Sequence, residues 1–241
     1  MYFKVAKKNF YNALSVAARA ISTFSPLPAF SGIKIDAKED CLVLTGSDSD
    51  VSIQTKLVKS EDCNLEIRDM GSIVIEAKYI LEIVRKINAD EIEFEVIDGC
   101  STKISGNTAE FRINGMRANE YPAIDFSKPK ECFTMEEDIL RRIILQTSFA
   151  TSDKETRPVL TGVNFACDGT TLNCVATDSY RLAKKTIEIK ESLNFNITVP
   201  AKSLQEVVKT LEDEGEVEIA VNDKKAQFII NDTIVQTRLI D

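Results

Sequence analysis

The sequence contains two similar halves, and this internal repeat restricts its possible folds more than any other feature. When the chain is shifted by 130 positions, residues 3–53 align with residues 133–183 without a gap. A second apolar series repeats at a shift of 124, where Ile80, Ile83, Val84 and Ile87 meet Leu204, Val207, Val208 and Leu211. Two similar domains are the simplest explanation of such a repeat.

Each half contains the same order of predicted elements. Twice in each half, a short apolar strand leads into a helical pattern, and further strands follow. The helices are predicted near residues 8–22, 78–88, 136–149 and 201–212. The stretch Ser25-Pro26-Leu27-Pro28 ends the first of them, because proline disrupts a helix. Two helices packed on one side of largely antiparallel sheets in each half make the fold class α+β.

A proline-containing stretch separates the two halves. Residues 119–131 carry Pro122, Pro129 and charges of both signs, a composition typical of a linker. We therefore expect a first domain over residues 1–118, a linker over 119–131 and a second domain over 132–241.

The composition excludes several kinds of catalytic and metal site. The chain has no histidine, so it cannot hold a Ser-His-Asp triad or a histidine metal ligand. Its six cysteines, at positions 41, 63, 100, 132, 167 and 174, form no CxxC pair, and we expect them to be reduced. Neither of the glycine-rich nucleotide motifs GxxxxGK[ST] and GxGxxG occurs. We expect a protein without catalytic activity, metal or cofactor.

One acidic motif, Asp48-Ser49-Asp50, allows a competing interpretation. It could belong to a metal site or to a hydrolase that uses Asp48, Asp50 or Asp178. The repeat partner of the motif is Asp178-Ser179-Tyr180, in which the second carboxylate is missing. No third carboxylate stands at a suitable spacing, and a metal site is not expected to lose a ligand in the matching turn. The hydrolase stays an alternative from another functional class.

The sequence contains no predicted membrane segment. No apolar run approaches the roughly 20 residues that a spanning helix needs. The first residues, Met1-Tyr2-Phe3-Lys4, do not begin the apolar region of a signal peptide. We therefore expect a cytoplasmic protein with no membrane partner.

The most distinctive stretch is Ala176-Thr177-Asp178-Ser179-Tyr180-Arg181-Leu182-Ala183. It lies between two predicted strands, and Asp and Ser suit a turn because their short side chains can bond the local backbone. Together with Arg157-Pro158-Val159-Leu160-Thr161-Gly162-Val163 and Glu120-Tyr121-Pro122-Ala123-Ile124-Asp125, it resembles the bacterial DNA polymerase sliding clamp, the beta subunit of the replicative polymerase. The resemblance covers the whole chain in register.

This resemblance implies a fold and a function. In that family the helices line a central hole and the sheets form the outer wall. The ring encircles duplex DNA without sequence preference and tethers the replicative polymerase, so that DNA synthesis is processive. The clamp is thus a non-catalytic subunit of the polymerase holoenzyme. Polymerase and clamp-loader subunits bind it through a short peptide motif.

The resemblance also implies a part that this chain lacks. Bacterial clamps have three such domains in each chain and close as a head-to-tail homodimer of six domains. The present chain has two, and its end at Leu239-Ile240-Asp241 matches the place where the first domain leads into the linker. We therefore expect a two-domain fragment. The competing interpretation within this class is a two-domain trimeric clamp of the eukaryotic and archaeal type.

A peptide-docking pocket is expected at the distinctive stretch. A turn at a strand edge that combines apolar area with hydrogen-bond donors suits a peptide with aromatic and arginine anchors. By resemblance, the stretch forms one wall of the pocket and Leu160 lines it. The expected peptide-binding residues are Leu160, Thr177, Asp178, Ser179, Tyr180, Arg181 and Leu182.

A weakly basic surface is expected on the helices, although the net charge of the chain is −8. Positive side chains stand opposite the apolar stripe of each predicted helix, so the excess of acids belongs to strands and loops. Such a surface can hold phosphates without reading bases. Two further cations, Lys154 and Arg157, are implied by the resemblance. The expected DNA-binding residues are Lys8, Arg19, Lys78, Arg85, Arg141, Arg142, Lys154, Arg157, Lys202 and Lys209.

Overall fold

A computed structural model describes residues 1–22 and 27–240 of the chain. The chain divides into two compact units, Met1–Asp125 and Phe126–Asp241. Two residues of the predicted helix breaker, Ser25 and Pro26, lie outside the described residues.

The described residues of unit 1 form two α-helices and ten strands. The helices are α1 (Lys7–Ala18) and α2 (Ala77–Lys86). The strands are β1 (Tyr2–Ala6), β2 (Gly32–Ala37), β3 (Cys41–Ser47), β4 (Val51–Val58), β5 (Glu66–Asp69), β6 (Gly71–Glu76), β7 (Glu91–Asp98), β8 (Ser101–Gly106), β9 (Ala109–Asn114) and β10 (Met116–Arg117). One antiparallel sheet has the order β5-β1-β7-β8-β9, and β10, β6, β2, β3 and β4 are neighbours in another.

The core of unit 1 lies between its helices and its strands. Phe3 in β1 and Phe94 in β7 are cross-strand partners whose rings stack at 4.8 Å, and Phe10 of α1 meets Phe3 edge-on at 5.5 Å. Helix α2 contributes Ile80 and Val84, both fully buried. Burying each large apolar side chain contributes about 1.5–3 kcal/mol to folding, so the apolar stripes of both helices are held against the sheet.

Unit 2, as far as residue 240, contains two α-helices and six strands. The helices are α3 (Glu137–Thr147) and α4 (Ala201–Thr210). The strands are β11 (Glu131–Glu136), β12 (Gly162–Thr177), β13 (Leu182–Pro200), β14 (Glu216–Val221), β15 (Lys225–Ile230) and β16 (Thr233–Arg238). Strands β16, β15, β14 and β11 are neighbours in that order, while β12 and β13 form one long antiparallel hairpin with a register shift between Gly169 and Thr171.

The two units repeat each other down to single turns. The short 3-10 helices Pro28–Ser31 and Pro158–Thr161 lie 130 positions apart. Asn107 and Asn231, which lie 124 positions apart, both adopt the left-handed conformation, with φ of 51° and 49°. Asparagine tolerates this conformation better than most residues, so both hairpins can turn tightly. Helices packed on antiparallel sheets in both units confirm the predicted α+β class.

Some element boundaries differ from the prediction. Helix α1 ends at Ala18, so Arg19 follows the helix instead of lying on it. The chain tightens there, because the amides of Ala20 and Ile21 bond carbonyls three residues back. Strand β5 was not predicted; it is short and charged and lies at a sheet edge, where an apolar alternation is not required. Within the predicted linker, the Tyr121 ring is buried and packs edge-on against Phe30 at 5.3 Å.

Candidate functional site

The distinctive stretch forms the turn between β12 and β13. The Asp178 carboxylate accepts hydrogen bonds from the amides of Tyr180 and Arg181, both at 3.0 Å. The Thr177 hydroxyl donates to the Arg181 carbonyl at 2.7 Å and accepts from the Ser179 amide. Ser179 has a φ of 76°, in the left-handed region. The backbone of the turn is thus fixed by the short side chains of its first two residues.

Asp178 is held in its ionised form. The amides of Arg181 and Tyr180 donate to its carboxylate and lower its pKa below the usual value, and the Arg181 guanidinium adds a smaller effect in the same direction. The guanidinium lies 3.0 Å from the second carboxylate oxygen. The negative charge of Asp178 therefore serves the turn itself and orients Arg181.

The turn presents large apolar side chains to solvent. Tyr180 is 98% exposed and Leu182 is 66% exposed. Leu160, also predicted to line the pocket, is half-buried, and its carbonyl accepts a hydrogen bond from the Ser152 amide at 2.8 Å. The large apolar residues found exposed among the described part of unit 2 all fall between positions 145 and 182: Leu145, Phe149, Val159, Tyr180 and Leu182.

Three members of this group, Leu145, Phe149 and Val159, were not among the predicted peptide-binding residues. The Arg181 guanidinium carbon lies 5.6 Å from the centre of the Phe149 ring, within the range of a cation–π contact. The sequence could have indicated the exposure of Leu145 and Phe149 through their positions on α3 and in the turn that follows it. Both fall outside the buried stripe of Leu140, Ile143, Ile144 and Thr147.

Unit 1 contains the same turn without the apolar surface. The Asp48 carboxylate accepts from the amides of Asp50 and Val51 at 3.0 and 2.8 Å, as Asp178 does 130 positions later. Ser49, like Ser179, has a positive φ, of 87°. At the places of Leu145, Phe149, Val159, Tyr180 and Leu182, however, unit 1 carries Ser15, Arg19, Ala29, Asp50 and Ser52. The fold therefore requires the turn but does not require exposed apolar residues beside it.

Eight of the ten predicted DNA-binding residues separate into two groups by their surroundings. Five exposed cations make no ion pair with any carboxylate in the described part of the chain: Lys8, Lys78, Lys154, Arg157 and Lys202. Three others pair with an acid on their own helix: Arg85 with Glu82, Arg142 with Asp138 and Lys209 with Glu206. The pairs of Arg142 and Lys209 are neutral, whereas Glu82 also binds Lys86, so that group keeps one positive charge. The helices are therefore less basic than a count of their cations suggests. Arg19 is half-buried.

Arg141 binds backbone carbonyls within unit 2 and thus has a structural role. Its guanidinium donates to the carbonyls of Leu211 and Glu212, at 3.1 and 2.7 Å, just past the end of α4. In unit 1 the Lys7 ammonium donates to the carbonyl of Ile87, just past the end of α2, at 2.5 Å. In each unit a cation from the first helix thus binds carbonyls at the C-terminal end of the second, where positive charge is favoured.

We expect Arg141→Ala to destabilise unit 2 by about 1–2 kcal/mol, since two carbonyls would lose a charged donor. Arg142→Ala is the matched control on the same helix. It removes an exposed pair with Asp138, worth about 0.3–0.5 kcal/mol. Urea unfolding followed by circular dichroism measures both. Equal midpoints for the two variants would contradict the structural role of Arg141.

The described residues contain neither a cluster of metal-ligating side chains nor a membrane-spanning helix. Residues 1–22 and 27–240 contain no group of three or more Cys, Asp or Glu side chains placed to hold a metal ion. The Asp48 carboxylate is bonded to its own turn. In the same residues, none of the helices has both the length and the apolar character needed to cross a bilayer.

Comparisons with known proteins agree across the whole chain. The family model of the DNA polymerase III beta subunit, N-terminal domain, matches residues 1–125, and the model of its central domain matches residues 134–241. Curated relatives include the Beta sliding clamp of Halalkalibacterium halodurans, 38% identical over 248 residues, and that of Bacillus subtilis, 37% identical over 246 residues. The alignments cover 100% of this chain but only 65% of either relative.

Solved structures give the same result. The DNA polymerase sliding clamp from Bacillus subtilis superposes with a TM-score of 0.97 at 35% identity, and the beta chain from Streptococcus pneumoniae with 0.95 at 31% identity. Each match covers 100% of this chain and 65% of the solved chain. These matches favour the bacterial type over the two-domain eukaryotic and archaeal one. The chain belongs to the DNA polymerase III beta subunit family, and the resemblance that its motifs indicated is confirmed.

Proposed function

We propose that this chain is part of a sliding clamp that encircles duplex DNA in the cytoplasm and tethers the replicative polymerase for processive synthesis. The observation that carries the tethering role is the difference between the two units. Both contain the same turn, but only unit 2 surrounds it with exposed apolar side chains. A fold that repeats so closely does not need such a surface in one copy alone, so a docking role explains it best.

The docking surface would act without chemistry of its own. A bound polymerase stays near the primer end because tethering raises its local concentration. Leu160, Leu182 and Tyr180 provide apolar area, and Arg181 provides donors held in place by Asp178. Such aromatic and arginine anchors contribute most of the free energy in typical interfaces. We propose Leu160 and residues 177–182 as the surface for polymerase and clamp-loader peptides, with no metal or cofactor.

The DNA-binding surface would consist of the predicted cations that have no acidic partner among residues 1–22 and 27–240. Lys8 and Lys78 lie on the helices of unit 1, Lys202 lies on α4, and Lys154 and Arg157 lie in the loop before β12. Contacts from a few lysines and arginines to phosphates give weak binding without sequence preference. This suits a protein that must move along DNA. Arg85, Arg142 and Lys209 would contribute less, because each is already paired.

The complete protein would be larger than this chain. The alignments span 65% of the relatives, so we propose that a third domain, together with head-to-tail dimerisation, completes the ring. The DnaN sliding clamp from Bartonella birtlesii, 25% identical to this chain, was solved bound to griselimycin. We propose that griselimycin also binds the present chain, which makes it a useful probe of the docking surface.

Duplex binding tests the proposed function directly. We expect a labelled duplex to bind the chain weakly and to bind equally well when its sequence is shuffled. With about three of the five cations in contact with phosphates at a time, the affinity should fall about 40-fold between 50 and 200 mM salt. Fluorescence anisotropy measures it. A clear sequence preference, or no binding at low salt, would contradict the DNA-binding part of the proposal.

A further inference from the structure

Leu145 and Phe149 extend the exposed apolar area beyond the proposed docking turn. Leu145 lies on α3 and is 58% exposed, and Phe149 follows that helix and is 57% exposed. Their counterparts in unit 1 are Ser15 and Arg19. A polar or charged residue thus occupies the same position of the same fold. Packing alone therefore does not explain why unit 2 leaves two large apolar side chains in water.

These side chains are continuous with the turn. The Arg181 guanidinium lies over the Phe149 ring at 5.6 Å, and the Lys185 ammonium donates to the side chain of Gln146 at 2.9 Å. The first contact joins the turn to the residues after α3, and the second joins β13 to the helix itself. Leu145 precedes Gln146 on α3, so it lies next in the chain to the residue that Lys185 contacts. A peptide bound at Leu182 and Tyr180 can therefore continue onto this area.

Arg181 also retains unused hydrogen-bond donors. Its Nε donates to Asp178, which is its ion-pair partner among the described residues. A guanidinium has five N–H donors, and the terminal ones form the fork that binds carboxylates in a bidentate way. The neighbouring Lys184 is exposed and adds positive charge. The area beside Phe149 thus combines apolar surface with donors for an acidic group.

We propose, as an extension of the peptide docking above and resting on it, that the bound peptide places an acidic residue on Arg181 and an adjacent aliphatic or aromatic residue on Phe149 and Leu145. DNA is the less suitable occupant. Apolar side chains do not attract phosphates, and Arg142 on the same helix is neutralised by Asp138. The proposal assigns these two apolar residues to the specificity of peptide binding.

A selection experiment tests this proposal. A phage-displayed library of random dodecapeptides is panned on the 241-residue chain, and the most enriched peptide is labelled and titrated. We expect an Asp or Glu beside a Leu or Phe in the enriched sequences. Leu145→Ser with Phe149→Ala should weaken that peptide about tenfold. Val58→Ser with Phe111→Ala is the matched control, since it changes two exposed apolar residues of unit 1 and should have no effect.

Charge provides a second measurement. Replacing the acidic residue of the peptide by its amide should weaken binding to the parent chain but not to Arg181→Gln, because the two changes remove the same contact. Circular dichroism checks that each variant is folded.

The possible outcomes separate the two proposals. If no peptide is enriched, or if Leu182→Ala leaves the affinity unchanged, the docking surface itself is refuted. If Leu182→Ala weakens the peptide but Leu145→Ser with Phe149→Ala does not, only the extension is refuted. If that pair instead weakens duplex binding, the area belongs to the DNA-binding surface and the extension is again refuted.

Discussion

A variant with Lys8, Lys78, Arg157 and Lys202 changed to glutamate is expected to lose binding to duplex DNA. Among the described residues these cations have no acidic partner, so each can release a counterion from the phosphate backbone. At 50 mM salt the affinity should fall by at least about 100-fold, and the dependence of log K on log salt should approach zero. Fluorescence anisotropy with a labelled duplex gives both quantities.

The control must separate local contacts from net charge. Four reversals change the net charge of the chain from −8 to −16, because each replaces +1 by −1. Lys38, Lys56, Lys130 and Lys224 are exposed, lie outside the helices and give the same change when replaced by glutamate. We expect this control to weaken binding only slightly, through long-range repulsion that salt screens. Equal losses in both variants would show that the helices and the loop before β12 are not the DNA-binding surface.

The repeat was predictable from the sequence because apolar periodicity and turn residues are local features of the chain. Apolar periodicity placed the four helices to within a few residues, and the repeated Asp-Ser pair predicted the turn that Asp48 and Asp178 form in the structure. Helix ends were less accurate. From Arg19 onward the amides after α1 bond carbonyls three residues back instead of four. The spacing of apolar residues does not reveal such a change in hydrogen bonding.

The candidate surfaces were predictable only in part. The sequence indicated which cations lie on helices, but whether each is neutralised depends on side-chain geometry. The spacing of Glu206 and Lys209 could have indicated such a pair, since residues three apart on a helix are neighbours. The contact between Phe149 and Arg181 could not be predicted in this way. It depends on how the residues after α3 pack against β13, which is tertiary information.

The double variant Arg181→Ala with Leu182→Ala is expected to abolish most peptide binding. Leu182 offers the largest exposed aliphatic surface of the turn, and Arg181 offers donors and shields one face of Phe149. Removing an aliphatic and an arginine anchor together should weaken a tail peptide of the replicative polymerase by about 100-fold. Isothermal titration calorimetry with that peptide, and separately with griselimycin, measures the loss.

The turn itself should survive in this variant, so the loss can be assigned to the side chains. The Asp178 carboxylate bonds the backbone amides of residues 180 and 181, and alanine keeps both amides. Val58→Ala with Lys59→Ala is the matched control, because it also removes one exposed apolar residue and one neighbouring cation. Duplex binding should be unchanged in both variants, because neither alters a cation of the proposed DNA-binding surface.

A longer chain gives the sharpest form of the test. If a third domain completes the pocket, a chain extended through that domain should bind the tail peptide more tightly than the present one. The double variant should then lose a larger part of its peptide affinity in the longer chain, because the peptide is desolvated more fully when both domains contact it. If the double variant binds as tightly as the parent in both lengths, the turn is only a structural feature. The docking assignment would then be wrong, even though the chain has the fold and the family of a clamp.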